Sequence, residues 1–369
     1  MMEQSKMPLR LRQEVMESGN CARCGLCVGL CPYIKTLNER ITFIQDCSRE
    51  DGNCYKICPR TPTNWSDLDK KVFGKERADQ GLGNYIEILY ARSLNKDLAQ
   101  AGQYGGVVST LAAYMVESGE SQAAVLTKGQ DDGPPTPCLA RNRDEVLSCA
   151  GSNYSASPTL SILNEGVRLG LENLTTVGRP CQILALRKMQ ALTEGSGHNL
   201  SAKKVNFTIG LFCFWSLETE FYTFLRAKTG SDRILRLDIP QNYVVATTET
   251  GEVQIPIDEL RAFIRPTCQR CFDPTAEFAD VSVGSTEYDP EWNTLIIRSS
   301  RGQEIVKKVC NAGHLETKPY PEERLPLLLN AVYNKKQRVL EGLTKGKGYE
   351  YLDLSSNYTK GIEEGGVGR

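Results

Sequence analysis

The chain has 369 residues, with 44 basic and 45 acidic side chains and a formal net charge of −1. Near-neutrality excludes a global pull toward nucleic acid or an anionic membrane surface. A hydrophobic fraction of 40% excludes a disordered chain and is enough for two or three packed domains.

Residues 1–20 are mostly polar and predict a short helical lead-in. They lack the apolar core of a secretory signal, and no apolar run approaches the roughly 18 residues of a membrane span. The 14 cysteines are therefore expected in a reducing cytoplasm, not in disulfides, and no direct membrane insertion is expected.

Residues 21–60 carry the most specific pattern. It reads Cys21-Ala-Arg-Cys24-Gly-Leu-Cys27-Val-Gly-Leu-Cys31-Pro32, followed by Cys47, Cys54 and Cys58-Pro59. Such a run, ending in Cys-Pro, is that of bacterial ferredoxins, where the fourth cysteine of each run serves the other cluster. The spacing predicts one 4Fe–4S cluster on Cys21, Cys24, Cys27 and Cys58; zinc is the alternative for paired Cys-x-x-Cys steps. Cys31, Cys47 and Cys54 remain, with one cysteine fewer than a full second run. They suit a 3Fe–4S cluster, a 4Fe–4S cluster completed by Asp46 or Asp51, or no cluster.

Residues 65–84 are polar and glycine-containing and predict a linker with helix around Trp65–Phe73. Strand–helix alternation follows: strand Tyr85–Tyr90, helix Gly106–Glu117, strand Ala123–Thr127, a loop at Gly133–Pro137, helix Leu160–Leu171 and strand Leu174–Val177. Next come a helix from Pro180 to Leu192, strand Val205–Phe212 and helix Leu217–Ala227. This order predicts an α/β domain. From about residue 232 the pattern favours antiparallel hairpins: Ile234–Ile239, Tyr243–Thr248, Val253–Ile257, Val281–Val283, Thr294–Arg298, and a turn at Ser300–Gly302 into Glu304–Val309. Leu325–Leu343 predicts a C-terminal helix. The expected domains are 1–64 (ferredoxin-like), 65–84 (linker), 85–344 (mixed α/β) and 345–369 (flexible tail).

Four further cysteines stand in recognisable surroundings: Cys181 in Arg179-Pro-Cys-Gln, Cys213 ending Gly-Leu-Phe-Cys, and Cys268-Gln-Arg-Cys271. Two lie at strand ends, where ligands collect in α/β sheets. They are candidates for a further 4Fe–4S cluster or, alternatively, small buried hydrophobes. Cys138, Cys149 and Cys310 match no motif, and neither His198 nor His314 sits in one.

With Tyr104-Gly-Gly-Val-Val-Ser-Thr110 and Ala279-Asp-Val-Ser-Val-Gly284, these motifs resemble the beta subunits of coenzyme F420-reducing hydrogenase, F420-dependent formate dehydrogenase and the F420H2 dehydrogenase input subunit. Plant 7-hydroxymethyl chlorophyll a reductase is similar too. The resemblance covers nearly the whole chain. It implies that residues 85–344 hold FAD beside a 4Fe–4S cluster on Cys181, Cys213, Cys268 and Cys271, so that two or three clusters are expected overall. It implies an oxidoreductase subunit passing electrons between a hydride carrier, coenzyme F420, and a hydrogenase-, formate dehydrogenase- or heterodisulfide reductase-like partner. The alternatives are a non-catalytic wiring subunit and a reductase of another substrate. No GxGxxG follows a strand, so the flavin phosphates are expected at Gly105-Gly106 with Ser109 and Thr110 in the next helical turn. The alternative is a plain tight turn. Ser152 and Tyr154 could add hydrogen bonds. Arg179 and Arg265, with Arg270 and Arg298, are candidates to meet phosphate or carboxylate.

Overall fold

The computed structural model describes residues 6–130, 133–192, 200–230, 232–240, 242–286, 288–344, 352–354 and 359. Its frame is one eight-stranded sheet: β1 (Glu87–Ser93), β2 (Ala123–Gln130), β3 (Gly133–Ala140), β4 (Leu174–Gly178), β5 (Val205–Leu211), β6 (Val281–Ser285), β7 (Asn293–Ile297) and β8 (Leu315–Pro319). The spatial order is β8-β1-β7-β6-β5-β4-β2-β3. β2, β4, β5 and β6 are parallel neighbours. β7, β1 and β8 extend one side antiparallel, and β3 closes the other.

Every residue of β4 and of β7 is buried, as a sheet covered on both faces requires. Successive residues serve opposite cores. Ala123 and Val125 of β2 pack with Ile183, Leu184 and Leu186 of the helix Pro180–Gln190. Ala124 and Leu126 pack with Leu111 of the helix Val107–Glu117 and Ile305 of the helix Ser300–Asn311. A separate three-stranded antiparallel sheet, Ile234–Asp238, Tyr243–Thr248 and Glu252–Pro256, closes over Phe221 and Leu225 of the helix Glu220–Thr229.

Three sequence expectations change. Glu304–Val309 is helical, not a strand. Ser299 caps the helix by accepting from the Gly302 amide, and Gly302, Ile305, Val306 and Val309 form one buried helical stripe. Gly133–Pro137 is not a loop but part of β3. Its prolines fit because β3 is an edge strand. The strand Leu315–Pro319 is additional to the reading from sequence. As to the tail, most of it lies outside the described residues; Leu352–Asp353 pairs in parallel with Thr63–Asn64.

The helix Trp65–Phe73 forms as expected, capped by Asn64, but its segment is packed tightly. Trp65 is 2% exposed, with its ring centroid 5.4 Å from Phe272 and 5.1 Å from Phe278. Behind it lies a buried charge network. Arg77 pairs with Asp69 at 2.8 Å and also with Glu277, and Lys336 from the helix Leu325–Thr344 reaches Glu277 at 2.6 Å. Lys336 and Glu277 are fully buried. Removing one partner from such a pair strands the other. Lys336→Met should therefore lower the unfolding free energy by about 3 kcal/mol, read as an earlier urea midpoint, whereas the exposed pair partner change Lys228→Met should leave it nearly unmoved.

Candidate functional site

The parallel strands β4 and β5 end side by side, so the residues beyond them meet at one sheet edge. Arg179 caps the helix Pro180–Gln190, and Cys181 falls in that helix's first turn. Cys213 follows β5 by two residues and takes its place through its amide, which donates to the Pro274 carbonyl at 2.8 Å. The short turn Pro266–Arg270 brings Cys268 beside the same edge, its thiol 3.8 Å from the Ser216 carbonyl. The four thiols feel one another. Burial pushes the Cys213 thiol up to about 12, with Cys268 and Cys181 adding to the rise against Lys335 and Arg179. Cys268 is raised by burial and by Cys271. Cys271 goes the other way: burial opposes it, but Lys335 and Arg60 hold it below its usual value.

The N-terminal segment supplies a second group. Helical residues Met7–Arg10 and Leu11–Glu17 pack over a hairpin, Ile34–Leu37 with Arg40–Phe43, turned at Asn38 and Glu39 with φ of 45° and 61°. Between them lies a cavity lined by Cys21, Cys24, Cys27 and Cys58 and by apolar side chains including Leu11, Val15, Leu26, Ile41 and Ile57. Burial raises all four thiols, that of Cys58 to about 11. Gly25 is obligatory here: its φ is +93°, and a Cβ would stand 2.2 Å from the Pro158 carbonyl oxygen. Cys31, Cys47 and Cys54 form a third group. Burial lifts Cys54 to about 12, and Cys31, Cys47 and Cys58 add to it. Asp46 and Asp51 are exposed and held by cations, Arg12 and Lys56 respectively.

Among the described residues no three His, Cys, Asp or Glu side chains converge on a single metal-ion position. A single zinc draws its thiolates to about 2.3 Å, whereas a cube of iron and sulfur holds them farther apart around its own volume. A thiol-lined cavity fits the second arrangement. The charge balance fits it too. Lys188 is buried and donates to the carbonyls of Cys58, Thr61 and Pro62, at 2.7, 3.2 and 3.3 Å. Lys335 donates to the carbonyls of Cys213 and Asp273, at 2.6 and 2.8 Å. Arg179 donates to the Ser216 hydroxyl at 2.7 Å, and its buried Nη2 has no partner among the described residues. None of these three cations meets a carboxylate in an ion pair among the described residues. Burial draws Lys188 down to about 8, with Cys58 opposing the drop. Buried cations without counter-charge are costly, and an anionic group on the neighbouring thiolates would supply it.

The candidate flavin residues fall into two sets. Gly105 and Gly106 answer to backbone packing: added Cβ atoms would stand 2.7 Å from the carbonyl oxygens of Ala91 and Leu98 respectively, and Gly106 has φ +68°. Asn293 takes the Val107 amide at 3.3 Å. Thr110 is buried, and its hydroxyl contacts that of Ser93 at 2.7 Å and donates to the Gly106 carbonyl at 3.0 Å; Ser109 is buried beside it. The second set lies nearer the cysteines. Tyr154 packs its ring 6.5 Å from Trp215, with exposed Ser152 close to its hydroxyl. Gln103 joins it to the small sheet by donating to the Leu237 carbonyl at 2.8 Å. Among the described residues, buried Ser157 Oγ and Thr176 Oγ1 have no partner, like Arg179 Nη2.

The arginines divide likewise. Arg298 is fully buried and committed to the fold through Ser282, Thr275 and the carbonyls of Leu82 and Asn84. Arg265 is 5% exposed and donates to the carbonyls of Cys21 at 2.9 Å and Ala22 at 3.2 Å. It is a clamp on the cysteine loop, shared with Glu218, which also meets Arg23. Arg60, Lys188 and Lys335 are not among the residues singled out from sequence. The one signal was Arg60's place directly after Cys58-Pro59. His198 lies outside the described residues, and no helix among the described residues is long and apolar enough to cross a membrane.

Comparison with known proteins gives a consistent family. The pattern for the coenzyme F420 hydrogenase/dehydrogenase beta subunit N-terminal part matches residues 88–164, and that for its C terminus matches residues 171–323. The coenzyme F420 hydrogenase subunit beta of Methanothermobacter thermautotrophicus is 33% identical over 273 residues, 72% of this chain and 96% of that one. The coenzyme F420-dependent sulfite reductase of Methanocaldococcus jannaschii is 32% identical over 80% of this chain, which spans 47% of that protein. A chain in the F420-reducing NiFe hydrogenase complex of Methanosarcina barkeri superposes with a TM-score of 0.67 at 27% identity, covering 72% of this chain and 94% of that chain.

Arg265 is the contact most open to a direct check. Charge-assisted hydrogen bonds are worth about 1.5–3 kcal/mol each. In Arg265→Ala, amides of residues 21–24 should exchange at least tenfold faster, tenfold being about 1.4 kcal/mol. Hydrogen-exchange mass spectrometry reads this, with the β4 amides as the unmoved reference.

Proposed function

Because the chain belongs to the coenzyme F420 hydrogenase/dehydrogenase beta subunit family, we propose that it is an iron–sulfur flavoprotein subunit. In this reading it passes electrons between coenzyme F420 and a partner redox enzyme, within a complex of hydrogenase, formate dehydrogenase or heterodisulfide reductase type. The observation that carries the reading is the sorting of eleven motif cysteines into three groups, of which the core and N-terminal ones lie beside buried positive charge and the N-terminal one lines a cavity. Cys181, Cys213, Cys268 and Cys271 would hold the core 4Fe–4S cluster, and Cys21, Cys24, Cys27 and Cys58 a second. Cys31, Cys47 and Cys54 would hold a third, of 3Fe–4S type unless a further ligand joins.

FAD, when bound, exchanges a two-electron hydride for single electrons. Tyr154, Ser152 and Arg179 would orient it at the carboxyl edge of β4 and β5, and the unpartnered hydroxyls of Ser157 and Thr176 would be met there. Gly105, Gly106, Ser109 and Thr110 would shape the neighbouring wall. The family implies the flavin; the orphaned donors beside Cys181 are the features of this chain that suit it. Hydride transfer to a flavin asks for alignment more than for acid–base groups.

Two measurements test this. Cys268→Ser should lose iron equal to one cluster while the signal of the N-terminal clusters persists; unchanged iron would remove the core cluster. Reduced coenzyme F420 should bleach the flavin of the loaded protein within the mixing experiment. Bleaching only by other donors would point to another substrate, and none at all to a wiring subunit.

A further inference from the structure

The N-terminal and core cysteine groups are joined by a short run of hydrogen bonds. Arg60 stands two residues after Cys58 and is 8% exposed. Its Nε donates to Thr267 Oγ1 at 2.9 Å and its Nη2 to the Thr267 carbonyl at 3.3 Å. Thr267 directly precedes Cys268. The Thr267 hydroxyl in turn donates to the Asn20 carbonyl at 2.6 Å, one residue before Cys21. Arg60 therefore touches the chain next to Cys268 while standing in the chain next to Cys58. Its charge bears on a thiol of each group, favouring the ionised form of Cys271 and of Cys21.

A second guanidinium has the same double address. Arg179 is two residues before Cys181 and is anchored on Ser216, whose carbonyl faces the Cys268 thiol. Its amide donates to the Gln182 side-chain oxygen at 2.8 Å, and Gln182 donates in turn to the Ser157 carbonyl at 3.3 Å; the thiols of Cys181, Cys213 and Cys268, and of Cys24 in the N-terminal group, all favour its charged form. Three residues after Ser157, the Leu160 amide donates to the Cys24 carbonyl at 3.0 Å.

We propose that Arg60 and Arg179 form an electrostatic junction between the two groups: two fixed positive charges, each shared by the N-terminal and the core group. The inference rests on the reading that both groups hold iron–sulfur clusters, and it goes beyond it in assigning a role to residues that ligate nothing. Each reduction adds one electron and no atom to a group, so it adds one negative charge in a poorly screened interior. A nearby guanidinium lowers the free energy of that reduced state and so raises the group's reduction potential. A cation shared by two groups does this for both. It also offsets the repulsion between electrons resident on both at once, which would otherwise hold back the second. Arginine suits the task because it keeps its charge throughout the working pH range.

The test is a dithionite titration of the anaerobically loaded full chain followed by electron paramagnetic resonance, on the wild type and on Arg60→Gln, Arg60→Lys and Arg179→Gln. Iron content is measured in each. The junction predicts that Arg60→Gln keeps its iron but moves the midpoints of both the core and the N-terminal signal to lower potential. Arg60→Lys, which keeps the charge, should return both toward the wild-type values, and Arg179→Gln should repeat the double shift. Full iron with both midpoints unmoved in Arg60→Gln overturns the proposal, as does a shift confined to one group. If Arg60→Gln fails to take up iron, Arg179→Gln decides by the same two criteria, and if that variant fails as well the arginines are structural and the junction falls. Wild-type protein without either cluster signal would instead overturn the cluster reading itself, an outcome visible before any variant is made.

Discussion

The arrangement depends on buried positive charge that meets no carboxylate in an ion pair among the described residues. Lys188, Lys335 and Arg179 point their donors at backbone carbonyls and a hydroxyl, and each lies beside cysteine thiols. The same molecule shows the ordinary solution a short way off, where Arg77 and Lys336 meet Asp69 and Glu277. That network is self-balanced and needs nothing further. In the cysteine region negative charge on the sulfurs would supply the balance. Buried thiols held above their usual range will not ionise by themselves. A metal bound there would displace their protons and supply that charge.

That constraint also explains how the N-terminal segment stays in place. Its own apolar cluster is small, with Leu11, Val15, Ile34, Ile41 and Tyr55 as the buried members and cysteines packed round them. Its hairpin has only four residues a side. Such a unit lacks the buried area to stand alone. It is held from outside instead: Arg265 grips the carbonyls of Cys21 and Ala22, Lys188 gathers those of Cys58 to Pro62, and Asn164 donates to those of Leu26 and Val28. The segment is thus built onto the edge of the large sheet, and its cysteines are fixed relative to those of the sheet edge.

The sequence made local patterns legible and long-range ones much less so. The parallel strands, the helix opening at Pro180 and the cysteine runs were readable because period and spacing are properties of neighbours in the chain. Glu304–Val309 misled because a short run with two adjacent β-branched residues satisfies both periods until the cap at Ser299 is weighed. Gly133–Pro137 misled because prolines argue against a strand except at an edge, and edges are decided by topology. The charged residues were the hardest. Arg265 and Arg298 were singled out by nearness to motifs, as candidates to face a ligand, yet their donors are taken by carbonyls, hydroxyls and a carboxylate of other segments. Arg60 and Lys188 gave almost no signal, since their significance is a meeting of residues 125 or more positions apart.

Where the family resemblance and the geometry separate is also informative. The family patterns begin at residue 88, after the N-terminal segment and the helix Trp65–Phe73. The residues that bind those earlier parts lie within the matched region: Asn164 on one helix, Lys188 on another, and Arg265 and Thr267 around the Cys268 turn. A core able to present its cysteines at the ends of β4 and β5 therefore also presents donors that accept a second cysteine-bearing segment. The junction requires little beyond that docking. Once Thr267 is bound to Asn20 and Arg60 to Thr267, the two groups are adjacent by covalent necessity, because each of those residues stands within two positions of a cysteine.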